Sequence, residues 1–74
     1  SPGQLTRLGD AYVKLNKISE SIPVYRESIT KAPKYEKAYE GLYHVYNGTG
    51  NAYDARLVIL EVLEKFGNKK LSIS

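Results

Sequence analysis

The sequence predicts an all-α fold, in which two helix-turn-helix pairs stack on each other. Apolar residues recur at spacings of three and four along most of the 74-residue chain, which is typical of helices with one buried face. Residues 5–12 also recur 34 positions later as residues 39–46, with a large apolar residue, a Leu and a Tyr in the same places. A fixed period of this length is typical of stacked helical pairs. No sustained period-two alternation favours strands.

The first predicted helix begins at the N-terminus. Ser1 as N-cap, Pro2 at the first helical position and Gln4 shortly after them match a capping box. A break follows at Asn16 and Lys17. The apolar residues at helical spacing before this break are Leu5, Leu8, Tyr12 and Leu15.

The second predicted helix begins at Ser19 and ends at Ala32. Its end is set by Pro33, because the residue before a proline disfavours the helical conformation. Pro23 lies in the first turn or just past it, where a missing amide costs little. The apolar face of this helix is predicted to contain Ile22, Tyr25 and Ile29, with Ser21 and Ser28 on the same side.

The third predicted helix runs from about Lys34 to Tyr46. Residues 47–50 end it, since their two glycines suit a left-handed cap. The residues predicted to face inward are Tyr35, Ala38, Tyr39, Leu42, Val45 and Tyr46.

The fourth predicted helix follows Asn51, which forms a cap-like pair with Asp54, and ends at Phe66 and Gly67. Residues 69–74 are predicted to be a frayed tail or the first turn of a fifth helix. The chain is thus expected to be one domain, with a first repeat over about residues 2–35, a second over about 36–69 and a tail at 70–74.

Composition narrows the possible classes of protein. The chain has no cysteine, which excludes disulfides and zinc sites built on thiolates. No apolar run approaches the ~18–20 residues of a membrane span, and no signal-peptide pattern opens the chain, so a cytoplasmic location is favoured. The net charge of +3 arises in residues 1–34, which hold six basic and three acidic residues.

These patterns resemble the tetratricopeptide repeat (TPR) family, and the resemblance covers about residues 2–69. In both units a large apolar residue, a Leu and a Tyr in the first helix precede small or apolar positions in the second and a closing helix stop. The matching residues of the first unit are Leu5, Leu8, Gly9, Tyr12, Ser21, Tyr25, Ser28 and Pro33. Those of the second unit are Tyr39, Leu42, Tyr43, Tyr46, Ala55, Ile59, Val62 and Gly67. Tyr43 stands where the family pattern has glycine.

The resemblance implies four antiparallel helices, stacked as a short right-handed α-solenoid, and a non-enzymatic scaffold or adaptor module for protein binding. The first helix of each pair would line a concave groove that holds a partner peptide or helix. The implied polar groove residues are Arg7, Asp10, Lys14, Lys37, Glu40, His44 and Asn47, with Thr6, Val13 and Gly41 at neighbouring positions. The family's clamp on a C-terminal carboxylate is not expected, because its positions carry Thr6, Asp10 and Gly41, and Asp10 repels a carboxylate.

No catalytic, metal or cofactor site is expected from the sequence. His44 follows Glu40 by four residues and shares a helical face with it, but two ligands do not make a metal site. A solvated contact between the two side chains is the expected role. No pattern supplies a nucleophile with a base.

Two alternative functions remain open. The fourth helix carries apolar residues around most of its circumference, whereas a surface helix needs only one apolar face. Residues 57–66 are therefore predicted to pair with a second copy of the chain or to stack on neighbouring repeats of a longer chain, through Leu57, Leu60, Leu63 and Phe66. A minor alternative is binding of RNA or another anionic surface by the basic first repeat.

Overall fold

The computed structural model describes residues 1–67, which form four α-helices joined by short turns. The helices are α1 (Pro2–Lys14), α2 (Ile18–Lys31), α3 (Glu36–Gly48) and α4 (Ala52–Phe66), and no strand occurs among the described residues. The predicted all-α class and the number of helices are confirmed. The tail predicted for residues 70–74, and the start of a fifth helix predicted as its alternative, lie outside the described residues.

Helix α1 begins with the predicted capping box. The backbone N–H of Gln4 donates to Ser1 Oγ at 3.3 Å, and the N-terminal ammonium of Ser1 donates to Gln4 Oε1 at 3.4 Å. The predicted break after α1 is also confirmed. Asn16 has a φ of 61°, a left-handed conformation that Asn tolerates better than most residues. This turn lets the N–H of Lys17 donate to the carbonyl of Tyr12 at 2.8 Å.

Helix α2 begins one residue earlier than predicted, at Ile18, and Lys17 takes the N-cap position without a side-chain cap. Pro23 is the sixth residue of the helix, where an amide would bond to the carbonyl of Ser19. The expectation that the missing amide is one of the first, unpaired ones is therefore wrong. The helix ends at Lys31, where the N–H of Ala32 donates to the carbonyl of Ser28 at 2.9 Å. Pro33 therefore stops the helix as predicted.

Helix α3 begins two residues later and ends two residues later than predicted. Its end lies at Gly48 because Thr49 satisfies the carbonyl of Val45 twice, with its N–H at 3.1 Å and its hydroxyl at 2.9 Å. The left-handed residue that follows is Gly50, with a φ of 79°. Glycine adopts this conformation without steric cost.

The predicted cap of α4 is wrong in its geometry, although the helix begins where expected. The side chain of Asn51 makes no bond to the α4 backbone and donates instead to Thr49 Oγ1 at 2.9 Å. The helix ends at Phe66, and Gly67 follows with a φ of 65°, so the predicted glycine stop is confirmed.

The hydrophobic core lies mainly between α2, α3 and α4. The predicted inward residues of α2 and α3 pack in this core or against it, which confirms both apolar faces. The fully buried hydroxyl of Tyr39 donates to the carbonyl of Pro33 at 2.8 Å, so no polar atom is stranded there. The buried core consists of Tyr25, Ile29, Ala38, Tyr39, Leu42, Val45, Val58 and Val62.

The predicted apolar face of α1 is buried only in part: Leu5 and Tyr12 are half-buried, and Gly9, a small residue of the repeat pattern, is buried. Leu8 and Leu15 are 43% and 67% exposed, whereas Thr6 and Gly9 are buried. Small residues let α1 pack closely on α2, and Thr6 Oγ1 lies 3.0 Å from Ser28 Oγ in this contact. The hydroxyl of Ser28 also donates to the carbonyl of Pro2 at 2.9 Å. The expectation that Leu8 and Leu15 are buried is therefore wrong, as is the assignment of Thr6 to an open groove.

The helices contact one another in a defined set of pairs. Helix α1 packs on α2 and α3, α2 packs on α3, and α3 packs on α4. An ion pair between Arg26 and Glu61, with 2.7 Å between Nη1 and Oε1, joins α2 to α4. Helices α1 and α4 therefore form the two outer elements of the described chain.

Candidate binding groove

A cleft of about 610 Å³ opens between α1 and α3, with residues of α2 at its base. This volume is within the range of ~300–1,000 Å³ that is typical of ligand sites. The apolar residues that line the cleft are Val13, Ile18, Tyr25 and Val45, and the glycines are Gly41 and Gly48. The polar residues that line it are Asp10, Lys14, Asn16, His44 and Thr49. The cleft thus combines an apolar base with polar groups from two helices.

Tyr25 is the central residue of this cleft, because the backbones of α1 and α3 both approach its ring. A Cβ atom placed on Gly9 would lie 2.6 Å from Tyr25 Cε1, and one placed on Gly41 would lie 2.5 Å from the same atom. Real Cβ atoms do not come this close to a ring carbon. Both helices therefore need glycine to pack against Tyr25, which is only 2% exposed.

The hydroxyl of Tyr25 reaches the cleft and donates to Asp10 Oδ1 at 2.5 Å. Burial of the phenol raises the pKa of Tyr25 well above its usual range, and the hydrogen bond to Asp10 raises it further. The phenol is consequently neutral and acts as a donor. The hydroxyl of Tyr25 thus fixes one oxygen of the Asp10 carboxylate. Asp10 itself is exposed and lines the cleft.

The charged groups of the cleft are not paired with one another. Within residues 1–67 the ion pair closer than 4.0 Å is Arg26–Glu61, which lies outside the cleft. Oδ2 of Asp10 and the polar side-chain atoms of Lys14 and His44 therefore have no hydrogen-bond partner within residues 1–67, whereas Oδ1 of Asp10 is bonded to Tyr25. His44 makes an edge-to-face contact with Tyr43, with 5.6 Å between ring centroids. The predicted contact between His44 and Glu40 is not among the hydrogen bonds or ion pairs of the described residues.

Three of the seven predicted polar groove residues line the cleft, namely Asp10, Lys14 and His44. The other four lie outside its lining: Arg7, Lys37 and Asn47 are exposed, and Glu40 is half-buried. Val13 and Gly41, which the family resemblance placed nearby, line the cleft as well.

The packing role of Gly41 was missed by the sequence reasoning, which treated it as an open groove position. A signal was present, because a glycine inside a helix costs about 1 kcal/mol relative to alanine and usually has a packing reason. The hydrogen bond between Tyr25 and Asp10 was also missed. The two residues are 15 positions apart and lie on different helices, so no local sequence pattern indicates that they are in contact.

The residues predicted for self-association divide into two groups. Leu57, Leu60 and Leu63 are 38%, 54% and 49% exposed, and we call them the α4 leucine face. Phe66 is half-buried instead, because its ring packs edge-to-face on Tyr39 with 5.7 Å between centroids. The ammonium of Lys34 lies 5.6 Å from the centroid of the same ring, a distance typical of cation–π contacts.

The described part of the chain has neither a cluster of metal-ligating side chains nor a membrane-spanning helix. No group of three or more metal-ligating side chains was found there. None of the helices there combines the length and the hydropathy that crossing a membrane requires.

Comparisons with protein-family models, with curated proteins and with solved structures found no significant match.

Proposed function

We propose that this chain is a non-enzymatic protein-interaction module of the TPR type, whose two helix pairs stack as a short right-handed solenoid. A peptide or helix of a partner protein binds in the cleft between α1 and α3. The cleft itself carries this proposal. Its lining includes Asp10, Lys14 and His44, which are three of the seven polar residues that the family resemblance implies for a groove.

The composition of the cleft suits a peptide better than a rigid small molecule. Val13, Ile18 and Val45 offer an apolar base to one or two side chains, each of which contributes up to ~1.5–3 kcal/mol when fully buried. The polar groups from α1 and α3 can bond to a peptide backbone or to polar side chains. Recognition of an extended or helical segment by such a groove is a recurrent binding mode.

Gly48 provides a way to test the groove without disturbing the core. It lines the cleft, lies in the last turn of α3, and a Cβ there would meet no atom within 4 Å. In Gly48→Phe the ring should occupy the cleft while the helices stay intact. Thr30→Phe, at an exposed position of α2, is a matched neutral control outside the lining.

The test is selection of ligands from a random peptide display library on the immobilised 74-residue chain, followed by measurement of affinity. Selected peptides should bind the wild type and Thr30→Phe equally, and Gly48→Phe at least tenfold more weakly. Circular dichroism should show that all three proteins are equally helical. A library that yields no binder, or binders that ignore Gly48→Phe, would refute the groove.

Self-association through the α4 leucine face is a second candidate function. Three large apolar side chains are between 38% and 54% exposed on one helix, and contiguous exposed apolar surface of this kind often marks an interface. Sedimentation across a concentration range should then show a dimer that dissociates on dilution.

The matched variants for this second candidate are Leu60→Glu and Leu15→Glu. Both replace an exposed leucine, but Leu15 is the residue that follows α1 and lies outside the α4 leucine face. Leu60→Glu should give a monomer, whereas Leu15→Glu should retain the concentration dependence of the wild type. A wild type that stays monomeric at high concentration would exclude this function.

A further inference from the structure

The carboxylate of Asp10 is held in place by a hydrogen bond from a buried residue of the core. Its Oδ1 accepts the hydrogen bond from Tyr25 at 2.5 Å, and the ring of Tyr25 is held in turn by close packing against Gly9 and Gly41. Asp10 itself is exposed and lines the cleft. The second oxygen, Oδ2, thus remains available to a donor that enters the cleft.

From this geometry we infer that the cleft recognises a basic side chain next to an apolar one, with the cation bound to Asp10 and the apolar side chain on Val13, Ile18 and Val45. This inference rests on the proposed function and names the chemistry of its ligand. A lysine or arginine of a partner peptide supplies the donor that Oδ2 lacks. Hydrogen bonds between charged groups of this kind are about twice as strong as neutral ones.

Lys14 is the competing charge, since it lines the same cleft one helical turn from Asp10. It forms no ion pair within 4.0 Å among the described residues, and no hydrogen bond to its ammonium occurs there. Its four-carbon stem therefore remains free to move away from a bound cation. Asp10 is already ordered by Tyr25, so a ligand that pairs with Asp10 loses less conformational entropy than one that must order Lys14.

The experiment uses three fluorescent pools of octapeptides, each acetylated and amidated so that the termini carry no charge. Every peptide contains a fixed Leu-X pair, with alanine, serine, leucine and glutamine randomised at the other positions. X is lysine, norleucine or glutamate. Norleucine keeps the apolar stem of lysine without its ammonium, so the ratio of the first two affinities reports the charge alone.

Fluorescence anisotropy with the 74-residue chain should show that the lysine pool binds about tenfold more tightly than the norleucine pool at low salt. The glutamate pool should bind no better than the norleucine pool. Because the pair is partly exposed to solvent, the preference for lysine should shrink in 0.5 M NaCl.

Three variants assign the preference to its source. Asp10→Asn should abolish it, and Tyr25→Phe, which keeps the ring but removes the donor, should reduce it. Glu40→Gln should leave it unchanged, because Glu40 is an acidic residue of α3 outside the cleft lining. Circular dichroism of each variant verifies that it is folded.

The outcomes separate this inference from the proposed function. If all three pools bind and Gly48→Phe weakens them, but lysine and norleucine are equivalent, the groove stands and the recognition of a basic side chain is refuted. A preference for lysine that survives Asp10→Asn refutes it as well. If no pool binds, the inference is refuted, and the random library with Gly48→Phe decides separately whether the groove stands.

Discussion

The close approach of α3 to Tyr25 leads to a sharp prediction about Gly41. In Gly41→Ala the new Cβ would lie 2.5 Å from Tyr25 Cε1, about 1 Å inside the normal contact distance of ~3.5–4.0 Å between carbon atoms. The ring has little room to move, because Gly9 of α1 approaches the same atom and the hydroxyl is bonded to Asp10. Ala should therefore destabilise the protein at a position where it would normally stabilise a helix.

The expected magnitude follows from two opposing terms. Overpacking of a core costs ~1–3 kcal/mol, while replacing a helical glycine by alanine gains ~1 kcal/mol. The net loss in the free energy of unfolding should be about 0–2 kcal/mol. For a domain of this size, 1 kcal/mol corresponds to ~4–8 °C in Tm, so Tm should fall by up to about 16 °C, whereas a glycine-to-alanine change without the clash would raise it.

Gly48→Ala is the matched control, because a Cβ on Gly48 meets no atom within 4 Å. The assay is urea denaturation followed by circular dichroism at 222 nm, together with thermal melts. Gly48→Ala should be as stable as the wild type or more stable. If Gly41→Ala shows the same gain, the packing of α3 on Tyr25 is not as described and the reasoning is refuted.

Three further predictions concern the hydroxyls, the ion pair and the exposed apolar face. Burial raises the pKa of Tyr25 and Tyr39 above their usual range. The two neutral phenols therefore stabilise the folded protein below about pH 10, and this contribution is lost progressively as the pH rises further. Tm should fall from pH 10 upward, and less steeply in Tyr25→Phe. Removing the pair of Arg26 and Glu61, whose side chains are 40% and 32% exposed, should cost about 0.5–1 kcal/mol by urea denaturation and less in 1 M NaCl; a double-mutant cycle with no coupling would contradict this. Leu60, at 54% exposure, should tolerate Leu60→Glu with a change in unfolding free energy below ~0.5 kcal/mol, and a larger loss in the monomer would show that the residue is buried.

The sequence alone determined the number of helices and most of their ends. These features depend on local chemistry: Ser1 and Gln4 cap α1, Pro33 stops α2, and Gly67 stops α4. Each signal acts within one turn of the chain, so it is readable from neighbouring residues. The side-chain cap predicted at Asn51, which is wrong, also depends on neighbouring residues, because Asn51 donates its hydrogen bond to Thr49 instead of capping α4.

The periodicity also predicted the buried faces of α2 and α3, but not that of α1. Helices α2 and α3 have neighbours on the side where their apolar residues lie. In α1 the apolar spacing pointed to four residues, of which Leu5 and Tyr12 are half-buried and Leu8 and Leu15 are exposed. The buried residues of this helix are Thr6 and Gly9. Periodicity identifies an apolar face, but the rotation of a helix against its neighbour depends on how closely the two backbones approach.

The residues that form the cleft could be identified only from the tertiary structure. The resemblance indicated a groove and named seven polar residues for it, of which only Asp10, Lys14 and His44 line the cleft. The spacing did not reveal that Tyr25 of α2 reaches the same place. Gly9 and Gly41 are 32 positions apart, so the 34-residue repeat does not relate them, and they meet at one ring only because α1 and α3 both cross it. Contacts between helices depend on crossing angles and distances, which are set when the whole core packs. The sequence by itself therefore determined which helices form, and only the tertiary structure decided which side chains meet between them.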